Sequence, residues 1–386
     1  MRLTARYLLP SFVLILLAAC SRGPTAAREA QEQPDPTLRS DRVFDDTARF
    51  LAGLAGRDGS LFSAAETDPA WQAHRAAMDE LWSKTSRFRL PGYERFQQAE
   101  LADSPFAGGA LFYPFGGPDA LTASLLFPRK DRYVLLGLEP PGSMPREELL
   151  APGERDRWLA GIRFALRSVV RSSFFITSQM RRDLRGRAAD GVLPLMLVEL
   201  VRTGHRISGV GDIEIDATGK AVPRVGAGSG SNAGVMVEFT REGESRRRRI
   251  TYVSADLSSP NFDGNMGLRS HLQSLGVVTT FLKAASYLPH RNGFSGIRQH
   301  ILAQSDAIVQ DDTGIPYRFL AEGSWQVRLY GGYDRPIPSF RSMAQPDLRE
   351  AYSRVDAKPL GFHIGYGSGR KPSNLLVATR RVTQGG

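Results

Sequence analysis

The 386-residue chain is 41% hydrophobic and 23% charged, enough apolar material for one large α/β domain or two smaller ones with a sizeable core. Its single cysteine, Cys20, excludes a disulfide framework and a zinc-thiolate centre. The formal net charge is +10, yet only six of the 50 basic residues are lysine; with no recognition motif beside it, this arginine bias does not point to nucleic acid as a partner.

At the start of the chain, Arg2 and Arg6 frame an apolar run from Tyr7 to Ala19, and Leu17-Ala18-Ala19 leads directly into Cys20. A basic start, a short apolar core and a small-residue cleavage site form a secretory signal. The run is shorter than the roughly 20 residues that a bilayer-crossing helix needs. Leu-Ala-Ala-Cys resembles the lipobox of bacterial lipoproteins. The resemblance implies removal of residues 1–19, acylation of Cys20 and a partner in the lipid bilayer. Ser21, in place of an aspartate, implies sorting to the outer membrane, facing the periplasm. The mature chain would hold 367 residues with a net charge of +8. Residues 20–40, with Gly23, Pro24, Pro34 and Pro36 among polar residues, read as a flexible tether, and residues 41–386 as the globular body.

Within the body, Val43, Phe44, Thr47, Phe50, Leu51 and Leu54 recur at helical spacing, and a second helix follows Asp68-Pro69 with Trp71, Met78, Leu81 and Trp82 on one face. Strand 110–114, the turn Gly116-Gly117-Pro118-Asp119, a helix over 121–127 and strand 133–138 make a βαβ unit, which brings its two strands parallel. Helices are expected around Trp158–Val170 and over 191–203, and strands over 205–216, 235–239 and 249–255. The Gly/Ser-rich stretch Gly226–Gly234 reads as a loop, since a strand follows where a phosphate-binding loop needs a helix; a division of the body into two halves would fall near 217–234. Apolar runs predict helices over 277–288 and 294–310, then strands over 315–320, 325–330, 361–366 and 375–382. The fold class is mixed α/β or α+β, with N-terminal helices, a βαβ-containing centre and antiparallel strands towards the C-terminus.

The chain lacks a phosphate-binding P-loop, a His-Glu-x-x-His helix and a Gly-x-Ser-x-Gly elbow. Ser368-Gly-Arg-Lys371 has the bare Ser-x-x-Lys spacing, but Pro372 follows where a helix should continue, and no companion motif accompanies it. No cofactor is implied. Acids stand at three strand ends instead: Asp119, Glu139 and Asp256. Ligands of parallel sheets bind beyond such ends, so these three, with Asp311 and Asp312, are candidate ligands for a hard cation or an acid/base pair, and His290 a candidate proton shuttle. Each also has a plain structural role: Asp119 as a helix cap, Glu139 leaving the sheet before Pro140-Pro141, Asp256, Asp311 and Asp312 as turn formers, His290 as a loop residue. Arg246–Arg249 reads as a solvated turn between strands, with anionic headgroups or a cell-wall polysaccharide as the alternative partner. Trp325, Tyr330, Tyr333, Phe340 and Tyr366 offer aromatic faces that would either pack in the core or stack on sugar rings.

Lys283-Ala-Ala-Ser-Tyr287, Gln310-Asp-Asp-Thr-Gly-Ile-Pro-Tyr317, Tyr330-Gly-Gly-Tyr333, Tyr113-Pro-Phe-Gly-Gly-Pro-Asp119 and Gly137-Leu-Glu139 together resemble an uncharacterised family of exported bacterial proteins. The resemblance spans roughly residues 105–380 and implies neither an activity nor a functional residue. The sequence therefore points to a lipid-anchored envelope protein with a binding or maintenance role. Metal-assisted hydrolysis at the strand-end acids and polysaccharide or peptidoglycan binding are the alternatives.

Overall fold

A computed structural model describes residues 35–145, 149, 151–172, 191–224, 232–321, 323–367 and 373–381. Cys20, the signal segment, most of the tether, residues 225–231 of the Gly/Ser stretch and Ser368–Lys371 lie outside the described residues. The chain divides into a unit up to Asp35 and a body from Pro36 onward.

The body is built on one 11-stranded sheet. Its strands are β1 (Arg39–Ser40), β2 (Ala110–Tyr113), β3 (Arg132–Gly137), β4 (His205–Ile215), β5 (Ala221–Pro223), β6 (Ala233–Arg241), β7 (Arg247–Ser254), β8 (Val278–Leu282), β9 (Ser305–Gln310), β10 (Trp325–Gly331) and β11 (Asn374–Arg380). They run in the order β1-β4-β6-β7-β3-β2-β8-β9-β11-β10, with β5 beside β4. The central five, β7-β3-β2-β8-β9, are parallel. Numbered by their succession in the chain they read 3-2-1-4-5, the order of a doubly wound sheet. An antiparallel wing flanks each side, β4 and β6 on one, β11 and β10 on the other.

Both faces of the central strands are covered, which makes their apolar residues near-continuous and divides them by period two. Leu111, Tyr113, Tyr133 and Leu135 face one core; Ala110, Phe112, Val134 and Leu136 face the other. The first core is closed by α1 (Val43–Leu51), α2 (Pro69–Lys84), α3 (Leu90–Glu100), α4 (Ala120–Leu126), α5 (Pro152–Ser172) and α6 (Leu193–Arg202), through side chains such as Phe50, Trp71, Tyr93, Trp158 and Leu197. The second is closed by α7 (Ser259–Gly264), α8 (Met266–Ser274), α9 (Ser295–Gln304) and α10 (Arg318–Ala321), through Phe262, Leu268, Ile297, Ile301 and Leu320. A small third cluster sets α11 (Pro346–Arg354) against the β10–β11 wing through Leu348, Leu329 and Leu376. The result is a three-layer mixed α/β body. No helix among the described residues is long and apolar enough to cross a membrane.

Several sequence expectations need correction. Residues 277–288 are not a helix: Val278–Leu282 is the buried parallel strand β8. A short apolar run carries no decisive period, and the β-branched Val278, Thr279 and Thr280 favour a strand. Residues 294–310 are not one helix but α9 running straight into β9, with the break at Ser305 (φ −85°, ψ 137°). Residues 315–320 hold a turn and the start of α10 rather than a strand, and 361–366 form no strand. The chain also joins the body before residue 41. Arg39 and Ser40 pair with Val210 and Gly209 on the sheet edge, and Thr37 is buried. The suggested division near 217–234 falls between β4 and β6, which pair from His205↔Arg241 to Glu214↔Ala233.

Candidate functional site

In a doubly wound sheet the crevice forms where neighbouring parallel strands send their loops to opposite faces. Here those strands are β2 and β8. The loop after β2 leads to α4 over the first core, and the loop after β8 leads to α9 over the second. Between them lies a cavity of about 520 Å³, a size suited to a small organic molecule. Its wall is made of the carboxyl ends of four parallel strands: Phe115 and Gly117 after β2, Leu136–Glu139 at β3, Ala255–Leu257 after β7, and Ala284–Ser286 after β8. Leu288, Phe294, Ile337, Ser339, Phe340 and Tyr366 complete it.

Each loop is fixed by its own chemistry. After β2 the chain turns through Phe115 (φ 63°) and Gly117 (φ 57°), and the Gly117 amide donates to the Leu136 carbonyl at 3.3 Å. A side chain at Gly137 would stand 2.5 Å from Glu139 Oε2 and 3.0 Å from the Gly117 Cα, so the glycine at the end of β3 lets the turn lie close against that acid. Glu139 is 1% exposed. Its Oε2 accepts from the Leu138 amide at 3.1 Å and the Tyr252 hydroxyl at 3.3 Å, and that hydroxyl also donates to the Glu139 carbonyl at 2.9 Å. Burial, and then the Glu139 charge, push the Tyr252 hydroxyl pKa well up, so it stays a donor. Oε1 of Glu139 has no hydrogen-bond partner among the described residues.

The loop after β8 is strained. Ala284, Ser286 and Tyr287 lie at φ of 51°, 52° and 55°, in the left-handed region that non-glycine residues seldom occupy. Such residues cost of order 1–3 kcal/mol each, persist only where surrounding contacts over-determine them, and cluster at ligand sites. The contacts come from the segment after β9. Asp311 Oδ2 accepts from the Ala284 amide at 2.8 Å, and Thr313 Oγ1 from the Ala285 amide at 2.7 Å. Tyr366 lies 2.9 Å from Ser286 Oγ and donates to the Ala284 carbonyl at 3.2 Å. The Tyr287 hydroxyl donates to Asp312.

The sequence-selected residues thus separate. Glu139 and Asp256 line the cavity. Asp256 is an exposed turn former, accepting from the Ser258 amide at 2.8 Å and Asn261 Nδ2 at 2.7 Å. Burial alone would raise its pKa, but those bonds and the Ser258 hydroxyl hold the carboxyl below its ordinary value. Asp119 is buried and is not part of the cavity lining. It caps α4 by accepting from the Thr122 amide at 3.1 Å, accepts from the Tyr113 hydroxyl at 2.8 Å, and stands 2.5 Å from Lys283 Nζ. Asp311 and Asp312 are loop supports. Asp311 Oδ1 also accepts from the Thr313 amide at 3.0 Å and hydroxyl at 2.5 Å, and Asp312 accepts from Asn374 Nδ2 at 2.9 Å. Burial, then the Asp312 charge, raise Asp311 to about 7. His290 packs edge-on against Tyr287 with centroids 5.1 Å apart; burial, then Arg318, push its pKa down to about 4, leaving it neutral and a poor base at pH 7.

The acids therefore do not assemble into one cation site. Among the described residues no three His, Cys, Asp or Glu side chains are grouped so as to hold a metal ion, and Asp119 already has the Lys283 ammonium beside it. The Arg246–Arg249 run is not a solvated turn: only Arg246 precedes the strand, Arg247–Arg249 open β7, and Arg248 is buried. The run is matched by acids, Arg246 with Asp131 at 2.5 Å, Arg247 with Glu238 at 3.2 Å and Arg248 with Glu244 at 2.5 Å. Of the aromatic set, Trp325, Tyr330 and Tyr333 are core residues, whereas Phe340 and Tyr366 reach the cavity.

Sequence reasoning missed Glu199, fully buried beside this network. Its Oε2 accepts from the Leu121 amide at 3.0 Å, and burial, then the Asp119 charge, push its pKa well above the carboxylate range. A signal was present: Glu199 is the lone acid in Leu193–Val201, an otherwise wholly apolar helix. No protein-family model, curated protein or solved structure matches this chain.

Proposed function

We propose that the chain is a lipid-anchored protein of the bacterial envelope whose body binds a small organic molecule in the cavity between the β2 and β8 loops. One observation supports the reading: at the switch point of a doubly wound sheet, a largely apolar cavity is lined by a buried carboxylate, Glu139, one of whose oxygens has no hydrogen-bond partner among the described residues. An unsatisfied buried acceptor costs free energy that a donor on a ligand would recover. The strained β8 loop, whose Ala284–Ser286 line the cavity, supports the same place.

Filling the mouth tests it. Ser339 is an exposed lining residue, so Ser339→Trp occupies the cavity without touching either core. In a thermal-shift screen of uncharged and cationic metabolites, hits on the native protein should disappear in S339W while the unliganded Tm is unchanged. Hits that persist in S339W would place binding elsewhere. For the anchor, fatty-acid labelling should be lost in Cys20→Ser; an equally labelled variant would overturn it.

A further inference from the structure

Resting on that cavity as the binding site, we infer that its ligand is an unphosphorylated compound joining a ring with neighbouring hydroxyls to a flat ring, as in a nucleoside or an aryl glycoside. Charge narrows the choice first. The described lining residues include two carboxylates, Glu139 and Asp256, and no lysine, arginine or histidine, so the wall is suited to hydrogen-bond donors and repels anions.

The place where a phosphate would sit is also taken. In doubly wound nucleotide sites the first helix N-terminus receives the phosphates. Here Asp119 occupies the Thr122 amide and Glu199 the Leu121 amide. The protein's own carboxyl groups complete that helix end.

What remains available is the acceptor at the end of the second parallel strand. Glu139 follows Gly117 by 22 residues, and in dinucleotide-binding sheets of this order an acid about 20 residues beyond the glycine-rich turn accepts from a ribose hydroxyl. With Oε2 held by Leu138 and Tyr252, Oε1 is buried and has no partner among the described residues, and it is the atom that a small rotation of the side chain would bring to a ligand hydroxyl. Flat surfaces share the same lining. Phe340 and Tyr366 lie 5.5 Å apart at an interplanar angle of 31°, and Phe115 and Phe294 meet at 5.9 Å. Rings so placed accept a planar group by stacking. Ser286 and Tyr366 hydroxyls add polar points at that wall.

Isothermal titration of the native protein, E139Q and S339W with five probes tests this: adenosine, 2′,3′-dideoxyadenosine, adenosine 5′-monophosphate, 4-nitrophenyl glucoside and benzyltrimethylammonium. Adenosine or the glucoside should bind, whichever is tighter naming the source. Affinity should fall about ten- to a hundredfold in E139Q, whose folding is checked by an unchanged Tm, and for adenosine equally in the dideoxy analogue. The monophosphate should bind more weakly than adenosine. Equal affinity for adenosine and dideoxyadenosine, tighter binding of the monophosphate, or no loss in E139Q would overturn the assignment. Binding of the hydroxyl-free ammonium alone, blocked in S339W, would overturn it while leaving the cavity as a site. Binding of no probe, or of probes undisturbed by S339W, would count against both.

Discussion

Lys283→Met is the most demanding test of the buried network beneath the cavity. Lys283 and Asp119 are 3% and 2% exposed at their side chains, with Nζ 2.5 Å from Oδ2, and Nζ also donates to Thr122 Oγ1 at 3.0 Å. Methionine keeps the length and apolar stem but strands a buried carboxylate. Removing one member of such a pair destabilises by about 3–5 kcal/mol, most of it the cost of the uncompensated charge rather than the worth of the pair. Asp119 retains the Tyr113 hydroxyl and Thr122 amide, which places the expectation at the lower end, about 3 kcal/mol. At about 2.1 cal/mol/K of unfolding entropy per residue, a body of this length should lose roughly 4 °C in Tm. Circular dichroism melts at pH 7 would measure it. The double variant K283M/D119N, which removes both charges and keeps a capping oxygen, should regain about half the loss. A K283M Tm within about 1 °C of the native value, or a double variant less stable than K283M, would refute the reasoning.

Other expectations follow from the same geometry. Glu199→Gln mimics the protonated acid. Because the folded-state pKa is raised, the native carboxyl contributes stability fully present below its unfolded value of about 4.5 and lost as pH rises toward the folded value. E199Q should therefore gain on the native protein with rising pH in urea titrations from pH 4.5 to 8, and a constant difference would argue against it. His74, His205, His290 and His300 are each lowered to about 4, first by burial and further by nearby arginines, with backbone hydrogen bonds opposing the shift at the first three. Their contribution is present above the unfolded value of about 6.5 and lost as pH falls toward 4, so H300F should flatten the acid limb of the melting profile; an unaltered limb would exclude His300. Ala284→Gly relieves a left-handed alanine at the entropic cost of glycine and should be neutral within about 1 kcal/mol, whereas A284V should lose about 1–2 kcal/mol. Equal melts for the two variants would show that the loop is not held as described.

The β2-α4-β3 unit was legible because its turn is punctuated by Gly116-Gly117-Pro118-Asp119, with a capping acid at the position a helix start requires. The same clarity put Asp119 and Glu139 at strand ends, and it showed Glu139 leaving the sheet. The β8 strand was hidden because a strand buried on both faces loses the alternation that marks a half-solvated one. With β8 read as a helix, the 3-2-1-4-5 order and its crevice were out of reach. Glu199 was passed over because a charge inside an apolar helix shows its meaning only when its neighbour, here the start of α4, is known.

Local chemistry in the sequence determined the N-terminal helices, the central βαβ unit, the mixed fold class and the exclusion of a disulfide framework, and the proposed export signal and anchor at Cys20 are read from the same kind of local pattern. These depend on composition and near neighbours, which the order of residues carries directly. Tertiary structure alone decided which acid serves which purpose. Asp119, Glu139 and Asp256 are alike in sequence, each closing or following a strand. Lys283 beside the first, a cavity beside the second and a solvated turn around the third give them three separate roles. A carboxylate's task is set by what stands within a few ångströms of it, and for two of these three the decisive neighbours lie more than 100 residues away along the chain.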